Sequence, residues 1–319
     1  TSRPAPARRP APATLPAAPA GPSSEPAPRP EATTPAPPAV PAAAAPEPRL
    51  AAQSPAEPVI PVNTLQQALE ENRLVVHLQP IITLPQRKAH GYDLVPRLAL
   101  DEGELADPPD FLPRKGGEEA LRRIERQLLE EALTIARRSK TAGQPVQLYL
   151  PLSHATLLEA PLVDNLAVLL EANRAVASGI VLTIGEEDWA GLPMSAKGSI
   201  ATLLKKGVGL SLADARSLRL DYTELAAAGV GTVRFSARRF TEDPESLTDF
   251  HTSDVADYVR RYELELIATG VETEDQLLTL LEDGIRLAQG PHIAPPGPAR
   301  ADLVANRPGA QTAPHRAQA

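Results

Sequence analysis

The sequence predicts an α/β fold, a (β/α)8 barrel of the TIM type, and three observations carry that expectation. Short β-type runs alternate with helical segments from residue 64 onward. The alternation continues over about 240 residues, the length a barrel takes. The clearest helical segment, residues 118–138, is amphipathic in the manner of a helix packed on a sheet. Periodicity does not show closure, so a doubly wound open sheet stands as the alternative.

Taken in order, residues 1–61 hold nineteen of the 36 prolines, many alanines and no Phe, Trp or Tyr. Such a stretch buries too little apolar surface to offset its ordering entropy. Residues 1–61 are therefore expected to form a disordered or polyproline-like linker, residues 62–298 the barrel, and residues 299–319 a disordered tail. The β runs are 74–78, 147–152, 180–184, 209–212, 232–235, 264–268 and, more weakly, 286–289. Within 118–138, Leu121, Ile124, Leu128 and Ile135 share one face and Arg/Glu pairs the other.

Composition removes several classes of function. The sequence has no cysteine, which excludes a disulfide scaffold, a thiolate nucleophile and cysteine-ligated metal sites. The formal charge is −8; five arginines against three glutamates in the first fifty residues leave −10 on the remainder. That balance argues against broad binding to polymeric nucleic acid. No run reaches the roughly 18 apolar residues of a membrane span, and no signal-peptide pattern is present. A cytoplasmic location is expected. Because the sequence starts at Thr1 rather than Met, a membrane anchor or coiled coil upstream stays open.

In a barrel, chemistry sits at the C-terminal ends of the strands. There the sequence offers Gln79-Pro80-Ile81, Pro151-Leu152-Ser153, Gly185-Glu186-Glu187, Ala213-Asp214, Ser236, Thr269-Gly270-Val271-Glu272 and Gln289-Gly290. Few of these are strong metal ligands or general bases, which weakens an enzymatic reading. Gly207-Val208-Gly209 and Gly229-Val230-Gly231 each lack the third glycine of a dinucleotide loop, and no Walker or Gly-x-Ser-x-Gly pattern occurs. The six histidines form no i,i+4 pair, and Glu186-Glu187-Asp188 reads as the acidic first turn of a helix.

Spaced motifs across residues 64–298 nevertheless resemble the EAL domain family, whose active members hydrolyse cyclic di-GMP on a two-metal barrel site. Ala268-Thr269-Gly270-Val271-Glu272-Thr273, then Gln276-Leu277, Gly284, Gln289-Gly290 and Pro295, is similar to the family's A-E-G-V-E-T…Q-L…G…Q-G…P block. Leu78-Gln79-Pro80-Ile81 resembles its Q-P-I strand, residues 91–98 its G-x-E-A-L-L-R-W segment, and Phe111-Leu112-Pro113 its F-I-P turn.

Against that family the metal and catalytic positions are altered. The first Glu of the signature is Asp93, the Asn before Leu-Ser is Pro151, and the carboxylates of Glu-x-Thr-Glu fall on Val181 and Ile184. Ala213-Asp214 stands for Asp-Asp, Arg234 for the water-orienting Lys, and Thr269 for the catalytic Glu. A two-metal hydrolase needs several oxygen ligands to hold its cations and activate water. The resemblance therefore implies no phosphodiesterase activity, no catalytic residue, no metal and no other cofactor. The ligand-binding half is retained: the resemblance assigns cyclic di-GMP contacts to Gln79, Arg97, Pro113, Glu272 and Gln289, with Asp93 and Asp214 as surviving carboxylates of that site. An arginine fork suits phosphate, and a carboxylate suits a guanine edge. Simpler roles compete: Arg97 as a helix-paired arginine, Glu272 as a cap of the following helix, Asp214 as a loop residue.

The expected function is a non-catalytic cyclic di-GMP receptor that regulates protein–protein assembly in bacterial signalling. The alternative is a nucleotide-independent scaffold, suggested by Pro96, Pro151 and the replacement of pocket aromatics by Pro291 and Ile293. A residual phosphodiesterase ranks third. Tyr92, Tyr149 and Phe235 are the aromatic candidates for stacking on guanine, and Lys205-Lys206 and Arg238-Arg239 for a partner surface. A degenerate domain on a Pro/Ala tether also resembles TipF-like cell-pole and flagellar-assembly factors. The protein partner is not specified by the sequence.

Overall fold

A computed structural model describes residues 58–100, 103–113 and 115–299. The expectations for most of the linker and for the tail, residues 1–57 and 300–319, lie outside the described residues.

Ten strands are present among the described residues: β1 (Leu74–Thr83), β2 (Ala89–Ala99), β3 (Leu105–Ala106), β4 (Gln147–Pro151), β5 (Ile180–Gly185), β6 (Gly209–Ala215), β7 (Val230–Ser236), β8 (Glu265–Thr269), β9 (Leu287–Ala288) and β10 (Gly297–Pro298). Their order runs β10-β1-β9-β8-β7-β6-β5-β4-β2-β3, and β1 also pairs with β2. Eight strands therefore close into a barrel, with β3 and β10 attached outside the ring. Closure settles the choice against an open sheet.

Two features depart from a simple (β/α)8 repeat. β1 lies antiparallel to both neighbours, β2 and β9, whereas β4 to β9 and the β2–β4 pair are parallel. β2 is also absent from the β runs of the sequence. Its alternation Tyr92, Leu94, Pro96, Leu98 is interrupted by Gly91, two charges and a proline, which argue against a strand. Pro96 is tolerated because β4 pairs only at Gly91 to Asp93 and β3 only at Leu98 and Ala99, leaving residues 94–97 without a strand on that side.

Side chains separate into two cores. Ile81, Tyr149, Val181, Ile267 and Leu287 fill the barrel interior as one cluster. A larger core lies between the outer strand faces and the helices. Helix Glu118–Thr141 contributes the anticipated stripe of Ile124, Leu128 and Ile135, widened by Leu129, Ala132 and Leu133. Burial of such side chains contributes roughly 1.5–3 kcal/mol each before entropy is subtracted. Helix Val62–Glu70 buries Leu65, Ala68 and Leu69.

Candidate functional site

Alternation along the strands decides which residues reach the mouth of the barrel. Above the apolar interior layer, β2 presents Asp93, β4 Pro151, β5 Thr183 and β7 Arg234 to a cleft of about 510 Å³, which Pro113 and Asp214 also line. Val181 belongs to the layer below and Ile184 to the outer core, so neither stands at the mouth. The inward residue of β5 at that height is Thr183, paired in register with Pro151 and Ser211.

Arg234 dominates the cleft. It is 5% exposed, and its two terminal nitrogens donate to the two carboxylate oxygens of Asp93, each at 2.7 Å. Nε donates to Ser211 Oγ at 3.3 Å, and Thr232 Oγ1 donates to the same oxygen at 2.7 Å. The guanidinium lies 4.6 Å from the centroid of the Tyr149 ring. A buried charge is costly unless paired and hydrogen-bonded, and here both conditions hold. Burial disfavours the cation, but the charge and hydrogen bonds of Asp93 outweigh it and hold the Arg234 pKa above its ordinary value. Burial also pushes the Tyr149 phenol up to about 12, so that hydroxyl stays neutral and donates to Gln147 Oε1 at 3.0 Å.

The expected site residues divide into three groups. Asp93, Pro113 and Asp214 line the cleft, as does Arg234. Gln289 joins them from behind: it is buried, and its Nε2 donates to Asp93 Oδ2 at 2.8 Å. Gln79 lies opposite Asp93 in the β1–β2 register but turns its amide to the Ala294 carbonyl at 3.2 Å. Arg97 and Glu272 are not among the residues lining the cleft. Arg97 is ion-paired with Asp107, which precedes the short helix Pro108–Phe111. Glu272 is exposed, and the helix-capping role goes to its neighbour: Thr273 Oγ1 accepts from the Gln276 backbone at 3.2 Å, while the Glu272 N–H donates to Gln276 Oε1 at 2.8 Å.

The Gln289-Gly290 step has a packing reason of its own. A Cβ at Gly290 would sit 2.1 Å from the Val271 nitrogen, where Val271 N–H donates to the Gln289 carbonyl at 3.0 Å. Only glycine admits that approach. Asp214 sits at φ +54° beside the register shift between β6 and β7, a left-handed conformation that aspartate tolerates.

Other expectations change. Tyr92 and Phe235 are buried in the outer core, and the ring of Tyr149 is covered by Arg234, so none of the three presents a free face to a base. Lys206 and Arg238 pair with Glu171 and Glu242, and Arg239 donates to the Arg216 carbonyl at 2.6 Å, so these three residues are engaged within the molecule. Glu186, Glu187 and Asp188 form the first turn of helix Glu186–Gly191, with Asp188 bound to His154 at 2.7 Å. The family resemblance places Arg234 at the site as the counterpart of a lysine, but its bidentate pairing with Asp93 is not legible in the sequence, where the two residues lie 141 positions apart.

The two-metal centre expected of an EAL phosphodiesterase does not fit these residues. Both oxygens of Asp93 are held by Arg234, Pro151 has no side-chain donor, and Thr183 and Thr269 offer only hydroxyls, that of Thr269 donating to the Phe235 carbonyl at 3.0 Å. Among the described residues no group of three His, Cys, Asp or Glu is placed to hold a metal ion.

The fold agrees with comparisons to known proteins. Residues 62–296 match the model of the EAL domain, and the chain belongs to that family. It is 24% identical over 240 residues to a probable cyclic di-GMP phosphodiesterase, PdeA of Escherichia coli K12, covering 74% of this chain and 32% of that protein. To the cyclic di-GMP phosphodiesterase RocR of Pseudomonas aeruginosa it is 23% identical, covering 73% of this chain and 59% of the relative. The chain thus spans about a third and three-fifths of those relatives. Among solved structures, the PaMucR phosphodiesterase in complex with cyclic di-GMP superposes with a TM-score of 0.66 at 24% identity over 75% of this chain and 97% of that one. The Xanthomonas citri FimX EAL domain with cyclic di-GMP gives 0.63 at 19% identity over 74% and 93%.

Proposed function

We propose that this domain is a non-catalytic EAL protein that binds cyclic di-GMP and conveys the binding event to a protein partner. The observation that carries the non-catalytic reading is the Asp93–Arg234 pair. It occupies the carboxylate from which a metal centre would be built, and Thr269 stands where the family resemblance places the general base. Without a metal-bound water there is no nucleophile to activate. The binding half is supported by the open cleft, by Pro113 and Gln289 at or beside it, and by related structures that hold cyclic di-GMP. Binding energy in such a protein performs no chemistry and acts only by favouring one conformation or association over another.

The test is a pair of measurements on the full chain. Incubation with cyclic di-GMP and Mg²⁺ or Mn²⁺ is expected to yield no linear dinucleotide, and calorimetry is expected to show binding. Turnover would overturn the first half, and absence of heat at any accessible concentration the second. A nucleotide-independent scaffold is the second reading, and the Arg97–Asp107 ion pair favours it, because the arginine assigned to phosphate already has an anionic partner. An Asp107→Ala variant separates the two: release of Arg97 should strengthen binding in a receptor and change nothing in a scaffold. The cell-pole and flagellar setting draws its support from the tether, which lies outside the described residues.

A further inference from the structure

We propose that Arg234 is the resident cation of the cleft, supplying to a phosphodiester anion the positive charge that a metal ion would otherwise provide. This rests on the reading that the cleft accepts a cyclic dinucleotide, and it adds which group recognises the phosphate and why no divalent ion is required. A guanidinium has five N–H donors. Two are given to Asp93 and one to Ser211, so among the described residues two are left, on a side chain that lines the cleft. The planar fork is fixed on one side by a carboxylate and on one face by Tyr149, so little rotamer entropy is lost when it meets a phosphate. The charge is also permanent, because Asp93 holds the Arg234 pKa above an already high value.

Charge accounting around the cleft supports the assignment. Asp93, Glu125, Asp188 and Asp214 line it together with His154, and Arg234 is the Lys or Arg among its lining residues. Without Arg234, the permanently charged side chains facing a dianionic ligand there would be carboxylates. Arg234 is therefore the group whose loss the ligand should feel most. The same geometry disfavours a divalent ion, which would have to displace the guanidinium from Asp93 and then share a small volume with it.

The experiment compares the full chain carrying Asp93→Asn with the chain carrying Asp93→Asn and Arg234→Gln together. The double variant replaces the ion pair by two neutral amides and leaves no uncompensated buried charge; thermal melts by circular dichroism check that both variants are folded. Calorimetric titration of cyclic di-GMP is expected to be equal in Mg²⁺ and in EDTA for the unaltered chain. Affinity should fall about 10- to 100-fold from the single to the double variant, the weight of charge-assisted hydrogen bonds. Electron paramagnetic resonance of Mn²⁺ should show the free-ion spectrum in the presence of the unaltered chain. Equal affinity of the two folded variants, loss of binding in EDTA, or stoichiometric capture of Mn²⁺ would each overturn the proposal. An unaltered chain that binds no cyclic di-GMP would instead overturn the receptor reading beneath it.

Discussion

Asp214 distinguishes a guanidinium cleft from a metal cleft. In a metal site an aspartate at that position is a ligand, and its removal weakens binding of a phosphate held through the metal. In a cleft whose cation is Arg234, Asp214 only repels an incoming dianion. Asp214→Asn is accordingly expected to tighten cyclic di-GMP binding by about threefold or more, measured by calorimetry at low ionic strength, where such effects are least screened. A weaker complex would point back to a metal. Gly290 makes the complementary case for structure: Gly290→Ala forces a methyl group into the Val271 backbone and should destabilise the fold by about 3 kcal/mol, read from urea unfolding. The retained Gln289-Gly290 step is thus explained partly by packing, whatever binds in front of it.

At the scale of elements, helix Glu118–Thr141 carries a buried carboxylate that the amphipathic pattern conceals. Glu125 accepts hydrogen bonds from the Ser153 N–H at 2.8 Å and from the Thr156 hydroxyl, tying the helix to the chain just beyond β4. Burial raises its pKa above the ordinary 4.5, with those hydrogen bonds opposing. The folded protein therefore holds this proton more tightly than the unfolded chain. Its stabilising contribution is fully present below pH 4.5 and is lost as pH rises through the raised value. The difference in unfolding free energy between the unaltered chain and Glu125→Gln should shift against the unaltered chain as pH rises above 4.5, as followed by urea titration. A difference independent of pH would contradict the assignment. Elements with a clear local pattern are legible in the sequence: seven of the eight ring strands follow from short β-type runs, and the Ile124, Leu128, Ile135 stripe from helical periodicity. β2 is not, because its inward positions hold Gly91, where a Cβ would meet the Tyr149 ring, and Asp93, which lines the cleft, instead of the β-branched residues that announce a strand. The Arg97–Asp107 pair was equally hidden, since it depends on how β3 folds back on β2.

For the molecule as a whole, closure by β1 is the feature that no local pattern encodes. β1 joins β2 to β9, so its removal would open the ring and expose two strand edges. A chain starting after Thr83 should lose its near-ultraviolet circular dichroism and elute as aggregates in size exclusion; a monomer with a cooperative melt would contradict this. The direction of β1 matters as much as its presence. Running against the other strands, it begins at the mouth and ends at the floor, and Gly297 and Pro298 of β10 pair with Leu78 and His77 near its start. The Ile60 N–H donates to the Asp110 carbonyl at 2.9 Å, within the short helix whose Pro108 borders the cleft. Ile60 and Gly297 thus both lie on the side of the barrel where the cleft opens. Anything fastened beyond either residue is held there at an effective concentration on the order of millimolar, without needing affinity of its own.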